Sequence, residues 1–312
     1  MIGRSFATVA VCTHNRADSL RRTVDSTLLL DHPAGSWELL LVDNASTDRT
    51  PAVAAAFAHR HAGVVRVVRE DRLGLSLARN RAIAEARGSI VAFLDDDAWP
   101  DPGWLAGLVG ALSADGVLVA GGPVEAELAG AQPAWLDERL LGYLSAWNRG
   151  SVEVECTWNE YPRGTNIAFR REAFERFGTF DPELGRAGGS LLSGEEIELC
   201  LRIERGGGRI VYVPQSRVRH AVGAERLTPD WMLARVEAGG YGQAIIEWRH
   251  HGWLGLARGL ARHGRNALSS VRAGGRQSDA LFARCQRRGL VGYSIGAARA
   301  VRTLARYSPP TP

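Results

Sequence analysis

Short apolar runs alternate with helical periodicities through the first third of the chain. "TVAVCT" (8–13), "WELLLVD" (37–43), "VVRVVRE" (64–70) and "SIVAFLD" (89–95) are rich in β-branched and apolar residues and read as buried strands. Between them lie "ADSLRRTVDSTLLL", "TDRTPAVAAAFAHRH" and "LSLARNRAIAEAR", each with apolar residues at helical spacing. Pro51 falls in the first turn of the second helix, where a missing N–H is tolerated. Strands separated by helices predict an α/β domain with a parallel sheet and helices on both faces. In such sheets the ligand crevice lies at the carboxyl ends of the strands. The Thr13–Asn15 segment, Asp43 and Asp95 all fall at those ends.

Beyond residue 113 the pattern changes. "VLVAGGPVEAEL" and "GTNIAFR" read as strands, with an irregular Trp- and Tyr-rich stretch over about 130–162 between them. "SGEEIELCLRIERGG" reads as a helix, followed by the strand "RIVYVP" and then "SRVRHAV". From about Leu227 the pattern is helical with many glycines. The runs at 206–208, 239–240 and 274–275 read as turns or breaks.

Composition adds one asymmetry. The net charge of +4 divides unevenly, with twelve arginines against Asp279 alone from Arg249 onward, a balance of +11. Residues 1–248 carry −7, so the two regions are expected to meet different partners. No apolar run reaches the length of a membrane span, and the N-terminus shows no secretory signal pattern. Four cysteines without metal-type spacing predict reduced thiols and a cytoplasmic setting.

The chemistry concentrates in "SIVAFLDDDAWP", where a core-type strand runs into Asp95, Asp96 and Asp97. Three adjacent carboxylates repel one another, and burial adds to the cost. Either this corner is a solvated loop or a cation sits on it; oxygen ligands at a strand end suit a hard divalent ion. At the end of the first strand, Thr13, His14, Asn15 and Arg16 lead into a helix whose N-terminus offers free N–H groups. Asp43 precedes a turn with Asn44 and Ser46, residues that also suit capping and turn chemistry. No G-x-G-x-x-G follows the first strand, so a dinucleotide fingerprint is absent.

Six segments carry a family resemblance: Thr13-His14-Asn15-Arg16, "VDNASTD", "RLGLSLARNRAI", "FLDDDAWPDPGWL", "GTNIAFRREAFERFGTFD" and "GEEIELCLRI". In this order they resemble family 2 glycosyltransferases over about residues 7–225. The resemblance implies an inverting enzyme of the GT-A fold, with a Rossmann-like, mostly parallel sheet. It further implies that Thr13, Asn15, Arg16 and Asp43 hold the nucleotide, and that Arg79 lies near the donor. Asp95–Asp97 would correspond to the D-x-D motif. Asp95 and Asp96 would then face the nucleotide-sugar, while Asp97, Asp95 and His220 would hold Mn²⁺ or Mg²⁺. The family's acceptor base lies in an acidic pair opening a helix, here Glu195–Glu196, with Glu where the family usually has Asp. Glu196 is the expected base and Glu195 the runner-up. Ser193-Gly194-Glu195-Glu196 also matches a capping box, which would occupy Glu196 structurally.

The expected organisation is a donor-binding and catalytic domain over 1–225 and a helical, arginine-rich extension over 226–312. The expected partners are a nucleotide-sugar donor and a glycan, lipid-linked or other hydroxyl acceptor. In the extension, Leu256, Leu260, Ala267 and Val271 form an apolar stripe beside Arg258, Arg262 and Arg265. That combination suits an anionic membrane surface and a peripheral position at its inner face; packing against the acidic domain is the other reading. No motif points to nucleic acid. A sugar-nucleotide nucleotidyltransferase and a catalytically inactive donor-binding or scaffold protein are the rival functions.

Overall fold

The computed structural model describes residues 6–158, 160–270 and 277–304. Of these, one compact unit takes 6–127, 145–183 and 195–221, and a second takes 128–144, 184–194 and 222–304.

The first unit opens as the apolar pattern predicts: β1 (Ala7–Thr13), α1 (Ala17–Thr27), β2 (Trp37–Asn44), α2 (Thr50–Arg60), β3 (Val65–Glu70), α3 (Leu75–Glu85) and β4 (Ile90–Asp95). β5 (Ala98–Pro100), α4 (Trp104–Ala111), β6 (Val117–Gly121) and β7 (Val124–Leu128) follow. After α5 (Glu138–Leu141) in the second unit come β8 (Val154–Glu155), β9 (Asn166–Arg170) and α6 (Arg171–Phe177). Then come α7 (Glu195–Arg205), β10 (Arg209–Tyr212) and β11 (Val218–Val222).

The main sheet has the order β3–β2–β1–β4–β9–β6–β10–β8. Only β9 and β8 run against the other six strands, so the sheet is mostly parallel. Central strands have both faces covered, which explains why β1, β2 and β4 read as continuous apolar runs rather than alternations. The segment "VLVAGGPVEAEL" makes two strands, not one. β6 joins the main sheet, whereas β7 lies beside β11 and β5 in a second, three-stranded sheet. Gly122 and Pro123 separate them, and a Cβ on Gly122 would collide with the Ser216 carbonyl.

Asn166 clips this region together. Its Oδ1 accepts from the buried Trp104 Nε1 at 2.7 Å, and its Nδ2 donates to Pro123 O and Ser216 O at 3.1 and 2.8 Å. Asn166→Ala would orphan two buried polar groups, the Trp104 indole N–H and Ser216 O, each costing about 1–3 kcal/mol, while Pro123 O keeps the Val218 N–H at 3.0 Å. A loss on the order of 3 kcal/mol is therefore expected in urea unfolding. A loss below about 1 kcal/mol would mean that water replaces the clip.

The second unit ends in α8 (Pro229–Ser269) and α9 (Gln277–Leu304). α8 is not straight, because Gly252 has φ 56° and breaks it. His263 Nε2 lies 3.1 Å from Gln243 Oε1, and Arg262 donates to Glu247 at 2.6 Å. Residues twenty apart on one straight helix would be about 30 Å apart, so the chain doubles back at Gly252. Gly239–Gly240, expected to break the helix, instead lies inside it. A Cβ on Gly240 would strike the Gly289 carbonyl, one on Gly292 the Glu237 carbonyl, and one on Gly296 the Tyr241 carbonyl. Most of these glycines form a seam where helices approach backbone to backbone. Gly274–Gly275 lies outside the described residues.

Candidate active site

Register places the expected residues along one edge of the sheet. Thr13 pairs with Asp43, Asp43 with Arg69, and Cys12 with Asp95, so the carboxyl ends of β1 to β4 are level. Asp43 is buried; its Oδ2 accepts from Arg69 Nη1 at 2.5 Å and its Oδ1 from the Ser46 N–H at 3.2 Å. Arg69 also holds Asp71 at 2.7 Å. Asn15 adopts φ 53°, and its Oδ1 accepts from the Thr47 and Asp48 N–H groups at 2.8 and 3.3 Å. Asn44 closes the neighbouring turn through Gly74 N–H, Glu70 O and Arg72 O. Capping and turn chemistry thus accounts for Asn44, Ser46 and Thr47, and it fixes the Asn15 side chain onto the β2–α2 turn.

The acidic triplet answers the question its sequence raises. Asp95 is held from two sides, by Thr165 Oγ1 at 2.6 Å on one oxygen and Arg79 Nη2 at 3.3 Å on the other. Asp97 is buried, 3.2 Å from His220 Nε2 and 3.8 Å from Arg16 Nη1. β11 brings His220 there by pairing antiparallel with β5, His220 opposite Ala98, while the Ala221 N–H donates to Asp97 O at 2.8 Å. Asp95, Asp97 and His220 each offer a ligand atom, all within 4.8 Å of one another. Two carboxylates and an imidazole in that compass form a donor set for a divalent cation. Burial, then the neighbouring Asp97, pushes the Asp96 carboxyl above its ordinary range. A positive charge at this corner would act in the opposite sense.

The third group is built on α3 and α7. Arg79 is only 3% exposed, so it is not a helix-surface arginine. It donates to Glu195 Oε1 at 2.6 Å, to Gly164 O at 3.1 Å, and to Asp95 at 3.3 Å. Glu195 is 2% exposed; burial and the adjacent Glu196 push its carboxyl up, and Arg79 opposes them. Glu196 is half-buried, and its Oε2 is buried with no hydrogen-bond partner, so this oxygen is not engaged in a cap. The two glutamates therefore differ: one is ion-paired in the core and the other retains a free carboxylate oxygen.

Sequence reasoning missed Arg69 and Thr165 as partners of Asp43 and Asp95. Arg69 was within reach of strand logic, because it sits level with Asp43 on the next strand. Thr165 lies just before the antiparallel β9, whose placement is a long-range event. The aromatic stretch is used partly for packing: Tyr161 is buried and donates to Glu204, and Trp147 packs edge-on against Tyr212 with centroids 5.1 Å apart.

The fold is that of GT-A glycosyltransferases. A mannosyltransferase from Pyrobaculum calidifontis, solved with GDP-Man and Mn²⁺, superposes with a TM-score of 0.59 at 22% identity, covering 99% of this chain and 78% of that one. Residues 8–178 match the profile of glycosyl transferase family 2. A glucosyl-dolichyl phosphate glucuronosyltransferase of Haloferax volcanii is 31% identical over 245 residues, 77% of this chain and 76% of its own length. A succinoglycan biosynthesis protein of Rhizobium meliloti is 24% identical over 271 residues, 85% of this chain and 81% of its own. The chain belongs to glycosyl transferase family 2. It is a glycosyltransferase enzyme. No described helix is long and apolar enough to cross a membrane.

Proposed function

We propose that this protein transfers a sugar from a nucleotide-sugar to an acceptor hydroxyl with inversion at the anomeric carbon. One observation carries the reading: a divalent-cation donor set and the acidic pair opening α7 occur in one unit, where Arg79 joins Asp95 to Glu195, the neighbour of a Glu196 whose Oε2 has no hydrogen-bond partner. Thr13, Asn15, Arg16 and Asp43 are assigned to the nucleotide, with Asp43 positioned by Arg69 and Asn15 fixed through its turn. Asp95 and Asp96 are assigned to the donor's ribose and diphosphate. Asp97, Asp95 and His220 would hold Mn²⁺ or Mg²⁺, and the mixed oxygen and imidazole set favours Mn²⁺. Such an ion, when bound, stabilises negative charge on the departing diphosphate.

In the proposed reaction Glu196 accepts the proton of the acceptor hydroxyl as its oxygen bonds to the anomeric carbon. The bond from that carbon to the diphosphate breaks on the opposite face, and the nucleoside diphosphate leaves with the electron pair. Attack opposite the leaving group inverts the centre, as in inverting glycosidases. Arg79 holds Glu195 in place beside the base. Residues 1–225 are read as the catalytic domain and 226–312 as an extension. The names of the relatives in Haloferax and Rhizobium support an acceptor in polysaccharide or glycoconjugate synthesis, either glycan or lipid-linked.

Incubating the protein with UDP- and GDP-sugars, Mn²⁺ and candidate acceptors tests this reading. Acceptor-stimulated release of nucleoside diphosphate, with an inverted linkage by NMR, is expected for one donor. Donor binding without turnover across acceptors would leave a binding protein, and a retained anomeric configuration would remove the role given to Glu196.

A further inference from the structure

The apolar stripe expected to meet a membrane faces the wrong way. Leu256 is 3% exposed and Ala267 is also buried, both on the packed side of α8, while Leu260 lies at its margin. Val271 lies outside the described residues. A different face of the same segment is open. Trp253 and Leu254, just past the Gly252 break, are 64% and 57% exposed, and Leu268 is 74% exposed. Leu254, Ala257, Ala261 and Leu268 are three, seven and fourteen residues apart counted from Leu254, and all are exposed. At about 100° per residue they form one stripe, with Trp253 on one side and Arg258 and Arg265, also exposed, on the other.

We propose that this face of α8, from Trp253 to Leu268, docks on a membrane surface bearing anionic lipids. An amphipathic helix of this kind lies in the interface with its apolar stripe among the headgroups and acyl chains. Tryptophan favours that depth, and flanking arginines meet the negative leaflet. Charge supports the choice of occupant. No acidic residue occurs between Glu247 and Asp279, and Asp279 is paired with Arg139 at 2.9 Å. Two copies of so basic a face would repel, which disfavours self-association. Behind the stripe both halves of α8 are tied to α9: buried Glu247 accepts from Arg262 and from Tyr293 Oη at 2.6 and 2.5 Å. The helix therefore presents a preformed face rather than one folded by the surface.

The inference stands apart from the assignment of Glu196 and the metal site. The test uses the full chain in flotation with vesicles of phosphatidylcholine alone and with phosphatidylglycerol added. Binding is expected only with phosphatidylglycerol, weakening as salt rises. Leu254→Ser with Leu268→Ser, and separately Arg258→Glu with Arg265→Glu, are each expected to weaken it by at least about tenfold. Melting temperature and nucleotide-sugar turnover on a soluble acceptor report that the fold and active site are intact. Wild-type protein that ignores both vesicles overturns the proposal, as does equal binding by the variants. Concentration-dependent dimerisation lost in the same variants would assign the face to a second copy instead.

Discussion

Asp97→Asn is expected to abolish Mn²⁺-dependent donor binding while the protein stays folded. The residue is the centre of the cluster: His220 is 3.2 Å from one of its oxygens and Arg16 3.8 Å from the other. Asparagine has the same shape and keeps an acceptor oxygen, so packing around the strand end should survive. The negative charge is lost, and with it one of the ligands proposed for the cation. Losing an outer partner of a metal ligand costs roughly 10–100-fold in affinity, so losing the ligand itself should exceed that range. Calorimetry with Mn²⁺ and the donor reads the effect, and thermal unfolding reads the fold. Unchanged Mn²⁺ and donor affinity in the folded variant would sink the assignment.

Glu196→Gln is expected to lower turnover by roughly 10²–10⁴ while donor binding persists. The size follows from the loss of a general base. A capping role would cost on the order of 1 kcal/mol of stability and little rate. Because Glu196 Oε2 accepts no hydrogen bond, the amide removes none from that oxygen, so stability should change little. Glu196→Asp restores the residue typical of the family and should retain measurable turnover. Glu195→Gln is the necessary contrast. It would leave Arg79 buried opposite a neutral partner, and breaking a buried ion pair from one side costs roughly 3–5 kcal/mol. Its inactivity would therefore count against Glu196 only if its melting temperature were unchanged. Near-normal turnover of the Glu196 amide variant, with a stable but inactive Glu195→Gln, would move the base to Glu195. Near-normal turnover in both would leave the helix start structural.

The parallel half of the sheet was legible in the sequence for a physical reason. Strands covered on both faces are apolar throughout, so β1, β2 and β4 stand out, and their polar terminators Thr13, Asp43 and Asp95 mark the ligand edge without further information. The acidic cluster was legible as a question, and its answer needed His220, 123 residues further along the chain. The antiparallel placement of β9 and the pairing of β11 with β5 are set by contacts between distant segments, which no local pattern encodes. In the helical tail, periodicity found a stripe but could not say which of two apolar faces was packed. Leu256 went inward, where it packs with Ala244 and with Tyr293 and Ala297 of α9. Glycine itself was ambiguous: Gly240 allows close approach and Gly252 breaks the helix, and only the backbone angle distinguishes them.

Arg79 has a thermodynamic consequence. A single guanidinium neutralises Asp95, at the edge assigned to the donor, and Glu195, beside the residue assigned to the acceptor. Whatever draws Asp95 away redistributes that charge toward Glu195, and whatever strengthens Glu195's hold on it loosens Asp95. By reciprocity, the free energy with which one side influences the other must be equal in both directions. Retuning the donor edge to accept a different sugar nucleotide would therefore also shift the electrostatics beside Glu196.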